Sequence, residues 1–130
     1  MSIAPGMAMP DRTRLDGTCV LLVEDIDLVA MQIEEMLLEG GCQTVTVAGS
    51  VTSALEVVRH ERIDAAVLDI NVRGGTTFRV ADELKARSIP FVFSTGDGAR
   101  YLPQRFDDAP HVSKPFDAPD LWAALAKARQ

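Results

Sequence analysis

Four short apolar runs in this chain end abruptly on a charged or hydroxyl-bearing residue. Cys19-Val20-Leu21-Leu22-Val23 stops at Glu24-Asp25, and Ala65-Ala66-Val67-Leu68 stops at Asp69. Ile89-Pro90-Phe91-Val92-Phe93 gives way to Ser94-Thr95-Gly96, and His111-Val112-Ser113 is closed by Lys114-Pro115. Runs without polar alternation predict strands covered on both faces, as in a parallel sheet. A fifth strand is expected from Thr44 to Ala48. The intervening segments carry a helical period instead. Val29, Ile33, Met36 and Leu37 recur at helical spacing before Gly40-Gly41. Ser50 can cap a helix with Val51, Ala54, Leu55 and Val58 on one face. Val80, Ala81 and Leu84 mark a third helix. Asp117 or its neighbours open a last one bearing Leu121, Ala124, Leu125 and Ala128.

Strand and helix thus alternate five times, which predicts an α/β fold with a parallel sheet and helices on both faces. Five strands suit the doubly wound, flavodoxin-like order 2-1-3-4-5. The segment between Thr95 and Lys114 holds Gly96, Gly98, Pro103 and Pro110, so a short or irregular fourth helix is expected there. Residues 1–17 lack such a pattern and are expected to form a flexible tail, with one domain over 18–130.

Composition narrows the class. The chain has 130 residues, 47% of them hydrophobic, enough for one core. A net charge of -6 argues against nucleic acid as a partner, because binding it requires a basic face. No apolar stretch approaches the roughly 20 residues of a membrane span, and the N-terminal residues do not form a signal peptide. Cys19 and Cys42 have neither disulfide-framework nor metal-ligand spacing, so free thiols of a cytoplasmic protein are expected.

The polar strand ends carry the chemistry. In an open parallel sheet, ligands gather beyond the carboxyl ends of the strands. There Glu24, Asp25 and Asp69 would repel one another, and a hard divalent cation relieves that repulsion. Mg²⁺ suits such a site, with Asp25 and Asp69 as direct ligands, Glu24 acting through water, and the Asn71 backbone carbonyl as a further oxygen. A carboxylate so placed can act as a nucleophile toward phosphorus, with Asp69 as acceptor. Lys114 would add fixed positive charge and Thr95 a hydroxyl for the phosphoryl oxygens. Singly, these residues read as caps, turn residues and surface charges. Their joint position at strand ends is what carries the signal.

Leu22-Val23-Glu24-Asp25, Leu68-Asp69-Ile70-Asn71, Phe93-Ser94-Thr95-Gly96 and Ser113-Lys114-Pro115-Phe116 together resemble the receiver domain of bacterial two-component response regulators, CheY-like in fold, over residues 18–129. The resemblance implies Mg²⁺-dependent phosphoryl transfer to Asp69 from a histidine kinase or a histidine phosphotransfer protein. It also implies a switch in which Thr95 turns toward the phosphate. Self-catalysed gain and loss of phosphate would be the only enzymatic activity, in a monomer or weak dimer. Phe93-Ser94-Thr95-Gly96 with Leu102-Pro103 is similar to the FAT-GUY group of single-domain regulators, which implies HWE or HisKA2-type kinases and general stress signalling.

The sequence departs from the family at several points. Asn71-Val72-Arg73-Gly74 stands where a Met-Pro pair commonly follows the acceptor. His111 occupies the position of the switch aromatic; it is either a pH-sensitive replacement or a rim histidine bonded to backbone. Asp97 and Gly98 replace bulkier residues. These departures motivate an alternative, a pseudo-receiver that docks partners without phosphate. A phosphatase of the haloacid dehalogenase type also uses a strand-end Asp, but it needs a second acid where this chain has Asn71. Ile26, Asp27 and Ala30 are expected nearest an approaching kinase. Trp122 is either a rim anchor on the switch face or a partly exposed packing residue.

Overall fold

In the computed structural model, which describes residues 15–96 and 102–130, the apolar runs form one parallel sheet. Its strands are β1 (Cys19–Val23), β2 (Thr44–Ala48), β3 (Ala65–Asp69), β6 (Phe91–Thr95) and β7 (His111–Ser113), in the order β2-β1-β3-β6-β7. This is the expected 2-1-3-4-5 order. The intervening labels belong to a small antiparallel hairpin, β4 (Asn71–Val72) and β5 (Gly75–Thr76), directly after β3. Four helices complete the alternation: α1 (Asp27–Glu39), α2 (Val51–His60), α3 (Phe78–Ala86) and α4 (Ala118–Ala128).

The absence of polar alternation in the central strands has a direct structural counterpart. Leu21, Val23, Ala66, Leu68 and Phe93 pack with α2 and α3, while Val20, Leu22, Ala65, Val67 and Val92 pack with α1 and α4. Val20 through Val23 are all at most 1% exposed, so each strand residue has a helix over it.

Helix starts follow their side chains. Ser50 caps α2 by accepting from Ser53 N–H, and Ser53 Oγ accepts in return from Ser50 N–H. Asp117 and Asp120 form the same reciprocal pair at α4. At the end of α1, Gly40 is required by space. A Cβ there would lie 2.5 Å from Trp122 Nε1 and 2.8 Å from Leu15 Cδ1.

That contact revises one expectation and decides another. Leu15 is 1% exposed and packs in the α1/α4 half of the core, and Thr18 Oγ1 donates to its carbonyl at 2.6 Å. The folded unit therefore includes Leu15, Asp16 and Gly17 rather than starting at 18, because an apolar side chain fills the space over Gly40. Residues 1–14 lie outside the described residues. Trp122 is partly exposed, packs between α4 and α1 and donates to Met36 O at 2.8 Å, so of its two readings the packing one holds.

The fourth sheet strand begins at Phe91, two residues later than the apolar run suggested. Pro90 has no N–H to offer the ladder, and its carbonyl accepts from Ala66 N–H. The irregular segment before β7 contains a 3-10 turn, Gln104–Phe106. Phe106 packs its ring against Phe78, Phe91 and Phe93 at centroid distances of 5.4–6.0 Å, which fastens the turn to the α2/α3 side of the sheet. Asp97 and Gly98 fall outside the described residues.

Candidate functional site

The chain leaves β1 in one direction to form β2 and returns on the other side to form β3, so the order reverses at β1. Loops diverge at such a switch point and open a crevice at the carboxyl ends of the strands. Glu24 and Asp25 follow β1 and Asp69 ends β3, so the topology delivers all three acids to that crevice. One carboxylate oxygen from each lies within 4.8 Å of the others.

Lys114 reaches the same point from the end of β7. Its Nζ is 2.8 Å from Glu24 Oε1 and 3.5 Å from Asp69 Oδ2. The backbone N–H of Lys114 donates to Thr95 O at 2.8 Å, which sets where the side chain departs. The Lys114–Pro115 peptide is cis. Glu24 is the buried member, with its side chain 1% exposed. Its other oxygen, Oε2, accepts from Ile26 N–H at 3.2 Å, so Glu24 braces the loop that carries Asp25. Both Glu24 oxygens are engaged in this way.

Asp69 is held by its neighbours on both sides. Thr77, fully buried ahead of α3, donates its hydroxyl to the Asp69 carbonyl at 2.7 Å. Thr95 is 3% exposed and lines, with Asp69, Asn71, Phe78 and Gly96, an open cleft of about 380 Å³. All six residues expected at the site are thus at one edge of the sheet, with Asn71 on the exposed rim. Thr77 is a site residue that sequence reasoning missed; a threonine in a Gly-Gly-Thr-Thr loop carries no signal of its own. Ser94 was also missed. The ladder pairs it with Asp69, and its buried hydroxyl has no hydrogen-bond partner among the described residues.

The electrostatics are unbalanced. Burial pushes the Asp69 carboxyl up from 3.8 to about 6; Lys114 opposes this, and Glu24 adds to it by charge and hydrogen bonding. Burial pulls the Lys114 ammonium down, but the hydrogen bond to Glu24 and the charges of Asp69 and Glu24 reverse that and hold it above its ordinary value. Three carboxylates against one ammonium leave a surplus of negative charge in a partly dry pocket. The donor set is all oxygen, which fits a hard divalent ion such as Mg²⁺, for which Asp25 and Asp69 are the candidate direct ligands.

Two secondary expectations meet the geometry differently. His111 is exposed at the start of β7 and stands opposite Phe93 in the ladder. Ala30 is 4% exposed and faces the core, so it is unavailable to a partner. The exposed apolar residues at the start of α1 are Ile26, Leu28 and Met31.

Comparison with known proteins decides the family. Residues 20–126 match the response regulator receiver domain. The chain belongs to that family. As a receiver domain it is 32% identical over 113 residues to the transcriptional regulatory protein PdtaR of Mycobacterium tuberculosis, covering 84% of this chain and 55% of that protein. The phyllosphere-induced regulator PhyR of Methylorubrum extorquens is 29% identical, covering 86% of this chain and 43% of that protein. This chain therefore spans about half the length of these curated relatives. Among solved structures, SdrG of Sphingomonas melonis Fr1 is 42% identical with a TM-score of 0.71, covering 85% of this receiver and 94% of SdrG. The receiver of the histidine kinase PA1611 from Pseudomonas aeruginosa, solved with a magnesium ion in its active-site cleft, shares the fold at a TM-score of 0.73 and 24% identity, over 87% of this chain and 98% of that one. Among the described residues, no helix is long and apolar enough to cross a membrane.

Proposed function

We propose that this receiver domain accepts a phosphoryl group on Asp69 and works as a phosphorylation switch, shuttle or sink in two-component signalling. The observation that carries this reading is the convergence of Asp25, Asp69, Glu24 and Lys114 at the switch point of the sheet. A structural ion pair needs one acid, whereas this pocket gathers three around one lysine. Such an arrangement carries surplus negative charge, which Mg²⁺ held by Asp25, Asp69 and the Asn71 carbonyl would offset when bound.

The chain's own groups then have distinct tasks. An Asp69 carboxylate oxygen attacks phosphorus, and the bond from phosphorus to the donor's leaving group breaks, with the electron pair departing on that group. Lys114 neutralises charge on the transferring oxygens, and the Thr95 hydroxyl donates to one of them. Glu24 keeps Lys114 and the Asp25 loop in place. The donor is a phosphohistidine of a kinase or a phosphotransfer protein, and the exposed apolar start of α1 (Ile26, Leu28, Met31) is a suitable docking surface beside the pocket. Apart from gain and loss of its own phosphate, the domain is not an enzyme.

The likeness to PhyR, described as a stress response regulator, supports a place in stress signalling, and the Phe93-Ser94-Thr95-Gly96 and Leu102-Pro103 stretches support the FAT-GUY group with HWE or HisKA2-type kinases. Incubation with Mg²⁺ and acetyl phosphate should yield a hydroxylamine-labile phosphoprotein, and Asp69→Asn should abolish it. Labelling that survives the substitution would refute Asp69 as acceptor. Partner binding unaffected by either Mg²⁺ or phosphate would instead establish the pseudo-receiver alternative.

A further inference from the structure

The β4–β5 hairpin replaces the Met-Pro loop common in the family, and it presents a cation at the rim of the carboxylate pocket. Gly74 and Gly75 have φ of 92° and 123°, values that side chains rarely adopt, so the turn depends on both glycines. The turn is pinned where it meets α2. Arg73 O accepts from Val51 N–H at 3.0 Å, and Arg73 bridges to Ser50. The backbone of Arg73 is therefore fixed while its side chain stays exposed.

That side chain extends across the strand ends. Arg73 Nη2 lies 3.4 Å from the carbonyl of Asp25, the residue best placed to bind metal directly. It also lies 3.4 Å from where a Cβ on Gly49 would stand, and that same point is 3.9 Å from Glu24 O. The guanidinium thus rests in a slot over the ends of β1 and β2. Arg59, Arg62, Arg87 and Arg105 each pair with an acid, but Arg73 makes no ion pair among the described residues. Its charge sits at the rim of the pocket, where the one hydrogen bond of its guanidinium among the described residues goes to the neutral Asp25 carbonyl, leaving most of its planar fork of N–H donors unused.

Charge balance shows what those donors can do. Three carboxylates and one lysine leave a net of minus two, and a divalent ion brings that to neutrality. An arriving phosphoryl dianion restores the surplus. Arginine is the side chain best suited to a phosphate-type anion, because its fork matches paired oxygens and it cannot lose its charge. We propose that Arg73 is a specificity-determining residue for the phosphoryl donor, recognising its anionic oxygens on the Asp25 side of the pocket opposite Lys114. This rests on the reading of Asp69 as acceptor. The competing role is a brace: Arg73 would only hold the Asp25 carbonyl and thereby keep a metal ligand in place.

The two roles separate on Mg²⁺ affinity. With acetyl phosphate and saturating Mg²⁺, Arg73→Ala in the full chain should lower the second-order rate of phosphorylation by about ten-fold, the size of one charge-assisted hydrogen bond. Arg73→Lys should recover part of the loss. The affinity for beryllofluoride, a phosphoryl mimic, should fall in parallel, and the rate should become less sensitive to salt. Mg²⁺ affinity, measured by calorimetry without donor, should hold or tighten, because a nearby cation has been removed. A wild-type rate in Arg73→Ala overturns the proposal. So does a loss of Mg²⁺ affinity large enough to account for the whole drop in rate. If the wild-type chain is not labelled on Asp69, the underlying reading fails, and the Asp69→Asn control identifies that case.

Discussion

The strand-end pocket and the α2–α3 surface are built from the same side chains and use them in opposite ways. On the surface, Arg59 Nε meets Glu83 Oε1 at 2.9 Å, Arg87 meets the other Glu83 oxygen at 3.6 Å, and Arg105 forks onto Asp82 at 2.8 and 3.0 Å. The hydrogen bond from Arg59 lowers the Glu83 carboxyl below its ordinary value, and those that Arg105 donates to Asp82 hold Arg105 above its own. Each acid has at least one cation, and water reaches all of them. Such pairs contribute little, because solvent already stabilises the separated charges. In the pocket, acids outnumber the lysine and Glu24 is shut off from water. Balanced, wet charge is compatible with any function. Unbalanced, partly dry charge persists only where something else completes it.

The largest effect on this contrast should come from Lys114→Ala. It leaves Glu24 buried without its 2.8 Å partner and removes the fixed cation facing Asp69. Breaking a buried pair costs roughly 3–5 kcal/mol; with Lys114 27% exposed, about 2–3 kcal/mol is expected from urea denaturation. Phosphorylation by acetyl phosphate should slow by about a hundred-fold or more, the usual cost of one stabilising group. Stability within error of the wild type would show that the lysine does not balance the pocket.

The sequence exposed this contrast only in part, for identifiable reasons. Residues at the carboxyl ends of the central strands were legible because the strands are covered on both faces, so the first polar residue marks the sheet's edge. Glu24, Asp25 and Asp69 follow from that rule, Thr95 comes one residue after the first polar Ser94, and Lys114 follows the edge strand β7 instead. Ser50 and Asp117 were legible as caps because capping is local. What failed was set by distant contacts. Leu15 is a lone apolar residue whose burial depends on Gly40 and Trp122. The sequence leaves Trp122 open between two readings, and only its hydrogen bond to α1 decides for packing. The β4–β5 hairpin is too short for any period, so Gly74-Gly75 read as punctuation, and the placement of Arg73 over Asp25 stayed hidden. Ala30 was assigned to a docking face by proximity to the pocket, but the turn of the helix carries it into the core.

A smaller effect, of opposite sign, is expected for Asp69→Asn. The folded pKa of Asp69, about 6, lies above its unfolded value of 3.8. Below 3.8 both states hold the proton and the site costs nothing. As pH rises toward 6 the unfolded chain releases its proton first, and stability is lost until the folded carboxyl also ionises. Above that the penalty is complete, at most about 3 kcal/mol for a shift of this size. Asn cannot ionise, so the variant should be more stable than the wild type at pH 8 and no more stable at pH 3.5. Mg²⁺ should narrow the gap at pH 8 by stabilising the wild type alone. Thermal melts at the two pH values, with and without Mg²⁺, measure this. A variant less stable at pH 8 would mean that Asp69 is a structural partner of Lys114 rather than a strained acid.

The smallest effect belongs to the other half of the comparison and tests it most directly. Arg59→Ala removes the shortest contact to Glu83, but Arg87 remains within reach of the same carboxylate, and both groups stay hydrated. Side-chain freedom regained by Glu83 offsets part of the lost attraction, and salt screens the rest. The melting temperature should therefore be hard to distinguish from the wild type at moderate salt, and the rate of Asp69 labelling should not change. The helix pair stays together because Leu55, Val58, Val80 and Leu84 are buried beneath these charges, and the substitution leaves that contact intact. A clear fall in the melting temperature would show that the surface network carries part of the fold, and the contrast between wet, balanced charge and the strained pocket would no longer hold. A change in phosphorylation rate without any change in stability would be more informative still, since it would connect α2 and α3 to the pocket through Thr77 and the Asp69 carbonyl.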